Sequence, residues 1–188
     1  MHLQTYAETR VWRPRPRRWL ICLDLQRDHV IPGRPRYSPA NADVAAACAH
    51  VLGLARDEGW RVVHSQHRAE ADAHPRGLFD APIEGLRPLI SEPVFFRGGL
   101  SAFANAAFAT ELRAARDEDV FLIGFSLADT CLATALAAVD VGLSLTLIED
   151  AVGGRDGIEG EAAQSILRPF VRIVSSQQLE ASALEAVS

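Results

Sequence analysis

Apolar residues along this chain fall into short, nearly continuous runs separated by stretches of helical spacing. "WLICLDL" (19–25) is one such run, closed by Asp24, and its pattern is that of a strand buried on both faces of a parallel sheet. "WRVVHSQ" (60–66), "PVFFR" (93–97), "DVFLIGF" (119–125) and "LSLTLIED" (143–150) continue the series, and "VRIVSS" (171–176) adds a sixth. Between them, "ADVAAACAHVLGLARDEG" (42–59) reads as a helix with Asn41 or Asp43 as its cap. "SAFANAAFATELRAARDE" (101–118) reads as a helix capped by Ser101. "GFSLADTCLATALAA" (124–138) passes from a strand end into a helix that Gly142 closes, and "GIEGEAAQSILRPF" (157–170) is a further helix.

Strands alternating with helices at this spacing predict an α/β, three-layer Rossmann-like fold: a six-stranded, mainly parallel sheet with helices on both faces. "IPGRPRYSP" (31–39) is a breaker-rich loop. Residues 67–92 show no sustained period and carry three prolines. A connection of about 26 residues is unusual in a compact domain and is commonly a lid or binding loop.

The chain has 188 residues, which suits one domain (18–188) preceded by an N-terminal arm (1–17), and the stretch "RVWRPRPRRW" (10–19) leads from the arm into the first strand. The arm reads as an extended segment that packs on a neighbouring subunit. A net charge of -5 gives no overall reason to bind nucleic acid or an acidic membrane, and no apolar run reaches the roughly 20 residues of a bilayer span. Small-molecule chemistry in the cytoplasm is the expectation. Cys22, Cys48 and Cys131 have neither disulfide nor zinc-knuckle spacing. All 19 basic side chains are arginine.

Ligands of open α/β sheets bind beyond the carboxyl ends of the strands, where strand order reverses. If the first and fourth strands flank that point, Asp24, Arg97 and Cys131 share one rim. There Asp24 is a candidate base, Cys131 a candidate nucleophile and Arg97 a candidate counter-charge or carboxylate holder. A position in the first helical turn is expected to bring the Cys131 thiol below its usual range. Backbone N–H groups around Ala128 and Cys131 are candidates for an oxyanion hole. Read alone, each residue also has a structural meaning: Cys131 as a core residue, Asp24 as a turn residue, Arg97 as a surface charge. Gln26 shares the face of Asp24 and is a candidate substrate contact or a turn contact. Phe95, Phe96 and Phe125 are core candidates, with Phe125 also a candidate pocket wall. "GGRDG" (153–157) lacks phosphate-loop spacing and reads as a simple loop.

At these residues the chain resembles the isochorismatase-like cysteine hydrolases, which include nicotinamidases, N-carbamoylsarcosine amidohydrolase and ureidoacrylate hydrolase. The likeness runs from about residue 18 to residue 178. It rests on the Asp-x-Gln strand end of "LDLQRDHV", on "GFSLADTCLATALAA" and on "GLSLTLIEDA". The resemblance implies that Asp24 and Cys131 are catalytic, and that a cis peptide at Ser126-Leu127 aims the backbone of Ser126, Leu127 and Ala128 at an oxyanion. It also implies self-association into dimers or tetramers.

Two departures stand out. Arg97 occupies the place of the family's catalytic lysine, four positions before the Ser-Ala-Phe of "FFRGGLSAF". His67 and Ala69 stand where nicotinamidases carry an Asp-x-His metal motif, so no metal or other cofactor is expected, and the spacing of His64, His67 and His74 matches no standard ligand set. Possession of Cys131 favours cleavage of an amide or ureido C–N bond in a small substrate. The alternatives are a catalytically inactive binding or scaffold protein of the same fold, and a vinyl ether hydrolase in which Arg97 grips a carboxylate.

Overall fold

The computed structural model describes residues 18–68, 80–154 and 157–185; the arm at 1–17, together with Ala69 and His74, lies outside them. Six strands form one sheet: β1 (Arg18–Leu23), β2 (Arg61–His67), β3 (Val94–Arg97), β4 (Asp119–Phe125), β5 (Ser144–Gly153) and β6 (Arg172–Val174). Their order is β3-β2-β1-β4-β5-β6 and every pairing is parallel. The order reverses between β1 and β4, the two strands expected to flank the switch point.

Alternate residues of a strand point to opposite faces, and β1 divides its side chains accordingly. Trp19, Ile21 and Leu23 enter one core layer beneath α2 (Ala106–Leu112), α3 (Leu132–Asp140) and α4 (Gly157–Leu167). Leu20 and Cys22 enter the other, against Cys48, Val51, Leu52 and Ala55 of α1 (Asn41–Asp57) and Leu179 of α5 (Ser176–Glu185). Each aliphatic side chain buried in this way contributes roughly 1.5–3 kcal/mol. The two layers explain why the strands read as continuous apolar runs.

Helix boundaries differ from expectation where polar side chains take other partners. The N-cap of α1 is Ala40, without a side-chain hydrogen bond. Asn41 instead donates Nδ2–H to the carbonyls of His29 (2.9 Å) and Arg36 (3.4 Å), tying the 29–36 loop to the helix start. The single helix expected over 101–118 is broken. Ser101 caps only a short 3-10 turn, Ala102–Ala104, and Asn105 then adopts extended backbone and accepts from the N–H groups of Ala107 and Phe108 at 2.9 and 3.0 Å. Asparagine competes for free N–H groups in this way, ending one turn and starting the next. α5 was not anticipated: among its described side chains Leu179 and Ser176 are the buried ones, too few to make an apolar stripe.

Gly124 makes the junction at the switch point possible. Its φ is +122°, and a Cβ there would lie 2.0 Å from the Leu23 carbonyl oxygen. Only glycine fits where the end of β4 crosses so close to the end of β1.

Candidate active site

Three strand ends converge beside this junction. Asp24 follows β1 with φ +46°, a left-handed conformation uncommon outside glycine but tolerated by aspartate. The residue is 1% exposed and its carboxylate accepts three hydrogen bonds. Oδ1 accepts from the His67 backbone N–H (2.6 Å) and from Arg97 Nη1 (3.0 Å), while Oδ2 accepts from Arg97 Nη2 (2.6 Å). Arg97 closes β3, donates further to Ser65 Oγ (3.2 Å) and to the Leu100 carbonyl (3.2 Å), and is itself buried. This two-pronged, buried pair is the geometry that a planar guanidinium forms and an ammonium does not.

Cys131 is the last residue of a π turn, Leu127–Cys131, that leads from β4 into α3. Two expectations are corrected here. The cis peptide bond is Phe125-Ser126, one residue before the Ser126-Leu127 bond that the resemblance implied. The Cys131 thiol is fully buried, and burial pushes its pKa well above the ordinary value, with the negative charges of Asp24 and Asp129 adding to the rise and Arg97 opposing it. The helix-terminus argument fails because the Cys131 N–H is not free: it donates to the Ser126 carbonyl at 2.9 Å. That bond also removes the Cys131 N–H from the set of oxyanion donors.

A cavity of about 220 Å³ opens at the junction. Asp24 and Ser126 line it, together with His29, Arg36, His67, Asp129, Thr130 and the Gly98–Leu100 turn. Cys131 and Arg97, both buried, are not among the residues that line it. Gln26 is also outside it: its side-chain amide donates to the carbonyls of Asp80 (3.1 Å) and His67 (3.4 Å), and its backbone bridges to Pro82. The structure gives Gln26 the turn contact. Phe125 is wholly buried and stacks on the His29 ring at 4.8 Å, so it supports the wall without forming it. Of the remaining oxyanion candidates, Leu127 is buried and Ala128 half-buried against the core.

His29, Arg36 and Asp129 were not singled out from the sequence. The available signal for His29 was its place three residues after Gln26 on the same rim; Arg36 sits in a loop whose path sequence spacing does not define. His64 is remote from the cavity and bonds Glu92, and among the described residues no three His, Cys, Asp or Glu side chains are grouped to hold a metal ion. A larger groove, about 950 Å³, lies at the opposite, amino ends of β1 and β2. Its arginines Arg56 and Arg61 are paired with Glu92 and Glu111, and neither a thiol nor a strand-end carboxylate lines it.

An all-parallel sheet with an acid, a cation and a cysteine gathered at its switch point defines a doubly wound α/β protein with a candidate site at the carboxyl ends of its strands. The family model for the Isochorismatase domain matches residues 18–178, and the chain belongs to the isochorismatase family of hydrolases. A maleamate amidohydrolase from Pseudomonas putida is 28% identical over 160 residues, covering 76% of this chain and 75% of that protein. Among solved structures, an isochorismatase-like hydrolase from Alkaliphilus metalliredigens superposes with a TM-score of 0.80 at 17% identity, covering 88% of this chain and 96% of its own. A pyrazinamidase from Pyrococcus horikoshii in complex with zinc does so at 0.73 and 19%, covering 85% and 99%. These two show the shared fold. Among the described residues, no helix is long and apolar enough to cross a membrane.

Proposed function

We propose that the chain is an amidohydrolase that cleaves a C–N bond, amide or ureido, of a small molecule through a thioester on Cys131. The observation that carries this reading is the buried Asp24–Arg97 pair set against the cavity, with Cys131 within the field of both. The similarity to a maleamate amidohydrolase supports the reaction type.

In the resting site Cys131 is a thiol. As its sulfur attacks the substrate carbonyl, the thiol proton passes to Asp24, and the carbonyl electrons move onto the oxygen. Collapse of this intermediate expels the amine, which takes the proton from Asp24 and leaves as ammonia or an amine. Water then attacks the thioester, its proton again moving through Asp24, to release the acid and restore the thiol. Arg97 remains charged throughout, because a guanidinium does not give up its proton in proteins. It stays paired with Asp24 and leaves Asp24 as the sole carrier of the proton. Self-association and a cytoplasmic location accompany this reading.

A second reading, a non-catalytic binding protein, is favoured by the buried, high-pKa state of Cys131. Ammonia release from a panel of small amides separates the two. The hydrolase reading expects turnover in the wild type and a loss of at least about 10³-fold in Cys131→Ala with the fold intact, on the scale of removing a covalent nucleophile. Undiminished turnover by Cys131→Ala removes the thioester, and no release from any amide leaves the binding protein.

A further inference from the structure

Three polar side chains that can donate hydrogen bonds, His29, His67 and Arg36, line the cavity. Both ring nitrogens of His29 are buried and unpartnered, although the residue is only 1% exposed. Burial holds this imidazole neutral, with its pKa lowered to about 4. His67 also lines the cavity, and its pKa is lowered by burial. Arg36 lies close enough to both rings to oppose their protonation. Its ion pair with Asp28 is a long contact, 3.9 Å from Nε to Oδ2, while Asp28 Oδ1 accepts a short 2.6 Å bond from Arg34. Two carboxylates also line the cavity: Asp24 already accepts three hydrogen bonds, from Arg97 and the His67 N–H, and the exposed Asp129 accepts from the Thr130 N–H.

A guanidinium and two neutral imidazoles, each with one N–H to donate, make a set of donors awaiting an acceptor. An orphaned buried polar group costs about 1–3 kcal/mol, which a bound ligand relieves. The ligand most complementary to a permanent cation flanked by donors is a carboxylate. A cavity of about 220 Å³ limits the ligand to a small one.

We propose that Arg36, with His29 and His67, forms a carboxylate-binding subsite, which makes the substrate a short-chain acid carrying the scissile amide at its other end. This rests on the amidohydrolase reading for the reaction but not for the binding. The test compares succinamate with 4-oxopentanamide, in which a methyl ketone replaces the carboxylate. Wild type is expected to favour succinamate at least tenfold in kcat/KM. Arg36→Met should erase that preference chiefly through KM, and Arg36→Lys should restore part of it by returning the charge without the fork. In parallel, calorimetry on Cys131→Ala measures binding without turnover, with succinamate expected to bind at least tenfold more tightly than the ketone. Equal hydrolysis of the two amides, or a preference that survives Arg36→Met, overturns the subsite. If neither amide is hydrolysed, the amidohydrolase reading fails for this class while calorimetry still decides the subsite: charge-selective binding upholds it, and equal or absent binding overturns it.

Discussion

Arg97 is the residue on which the chemistry of this site turns. In place of an ammonium it presents a fork, two prongs of which meet both oxygens of Asp24 while Nε and the rest of Nη1 hold Leu100 and Ser65. Breaking such a pair leaves an uncompensated buried charge, whereas replacing both partners does not. Arg97→Met is therefore expected to cost about 3–5 kcal/mol in urea unfolding, and the Asp24→Asn, Arg97→Met double variant to be more stable than Arg97→Met alone. A loss under about 1 kcal/mol in the single variant contradicts the pairing. That Asp24 and Arg97 share a rim was legible in the sequence, since both close apolar runs and parallel strands end on one side. The charge state of Cys131 was not. It depends on the π turn, which ties its N–H to Ser126 and buries its sulfur, and helical spacing alone does not distinguish that turn from an ordinary first turn.

At the level of elements, all six strands were legible because burial on both faces leaves continuous apolar runs. Helices were less so. Asn105 restarts a helix that periodicity alone runs straight through, and the sparse burial of α5 gives no stripe to read. His29 and Arg36 reach the cavity only because Asn41 holds the loop carbonyls at 29 and 36, a long-range tie without a local signature. Another tie joins α1, β2 and the 86–92 segment. Glu92 accepts from Arg56 at 2.8 and 2.9 Å, from the Leu89 N–H at 2.9 Å and from His64 Nε2 at 2.9 Å. Although its burial acts in the opposite direction, these donors together hold the Glu92 carboxyl down at about 2. A carboxyl depressed in the folded state adds stability above its unfolded pKa, here about 4.5, and loses it as pH falls toward 2. Glu92→Gln is expected to lower stability by about 2 kcal/mol at pH 7, with the gap to wild type closing below pH 4.5 in a pH series of urea unfolding. A gap that does not change with pH contradicts this account of the tie.

On the scale of the whole molecule, the sheet order places β1 and β4 side by side, Gly124 lets their ends touch, and β3 brings a guanidinium across to the carboxylate of β1. The fold thus gathers a carboxylate, its counter-charge and a buried thiol beside a cavity of about 220 Å³, the parts that the proposed reaction uses. A resting site of this kind keeps its nucleophile protonated until a carbonyl arrives, which protects a buried thiol from oxidation and alkylation. Its central claim is a covalent intermediate on Cys131. The most direct measurement is intact-protein and peptide mass spectrometry of enzyme mixed with succinamate and quenched in acid within the first turnovers. The account expects the protein to gain the acyl group, the mass of the amide less ammonia, on the peptide carrying Cys131, with hydroxylamine removing it and Cys131→Ala never acquiring it. Ammonia release from that same mixture with no adduct on Cys131 at any quench time, and with Cys131→Ala equally active, contradicts it.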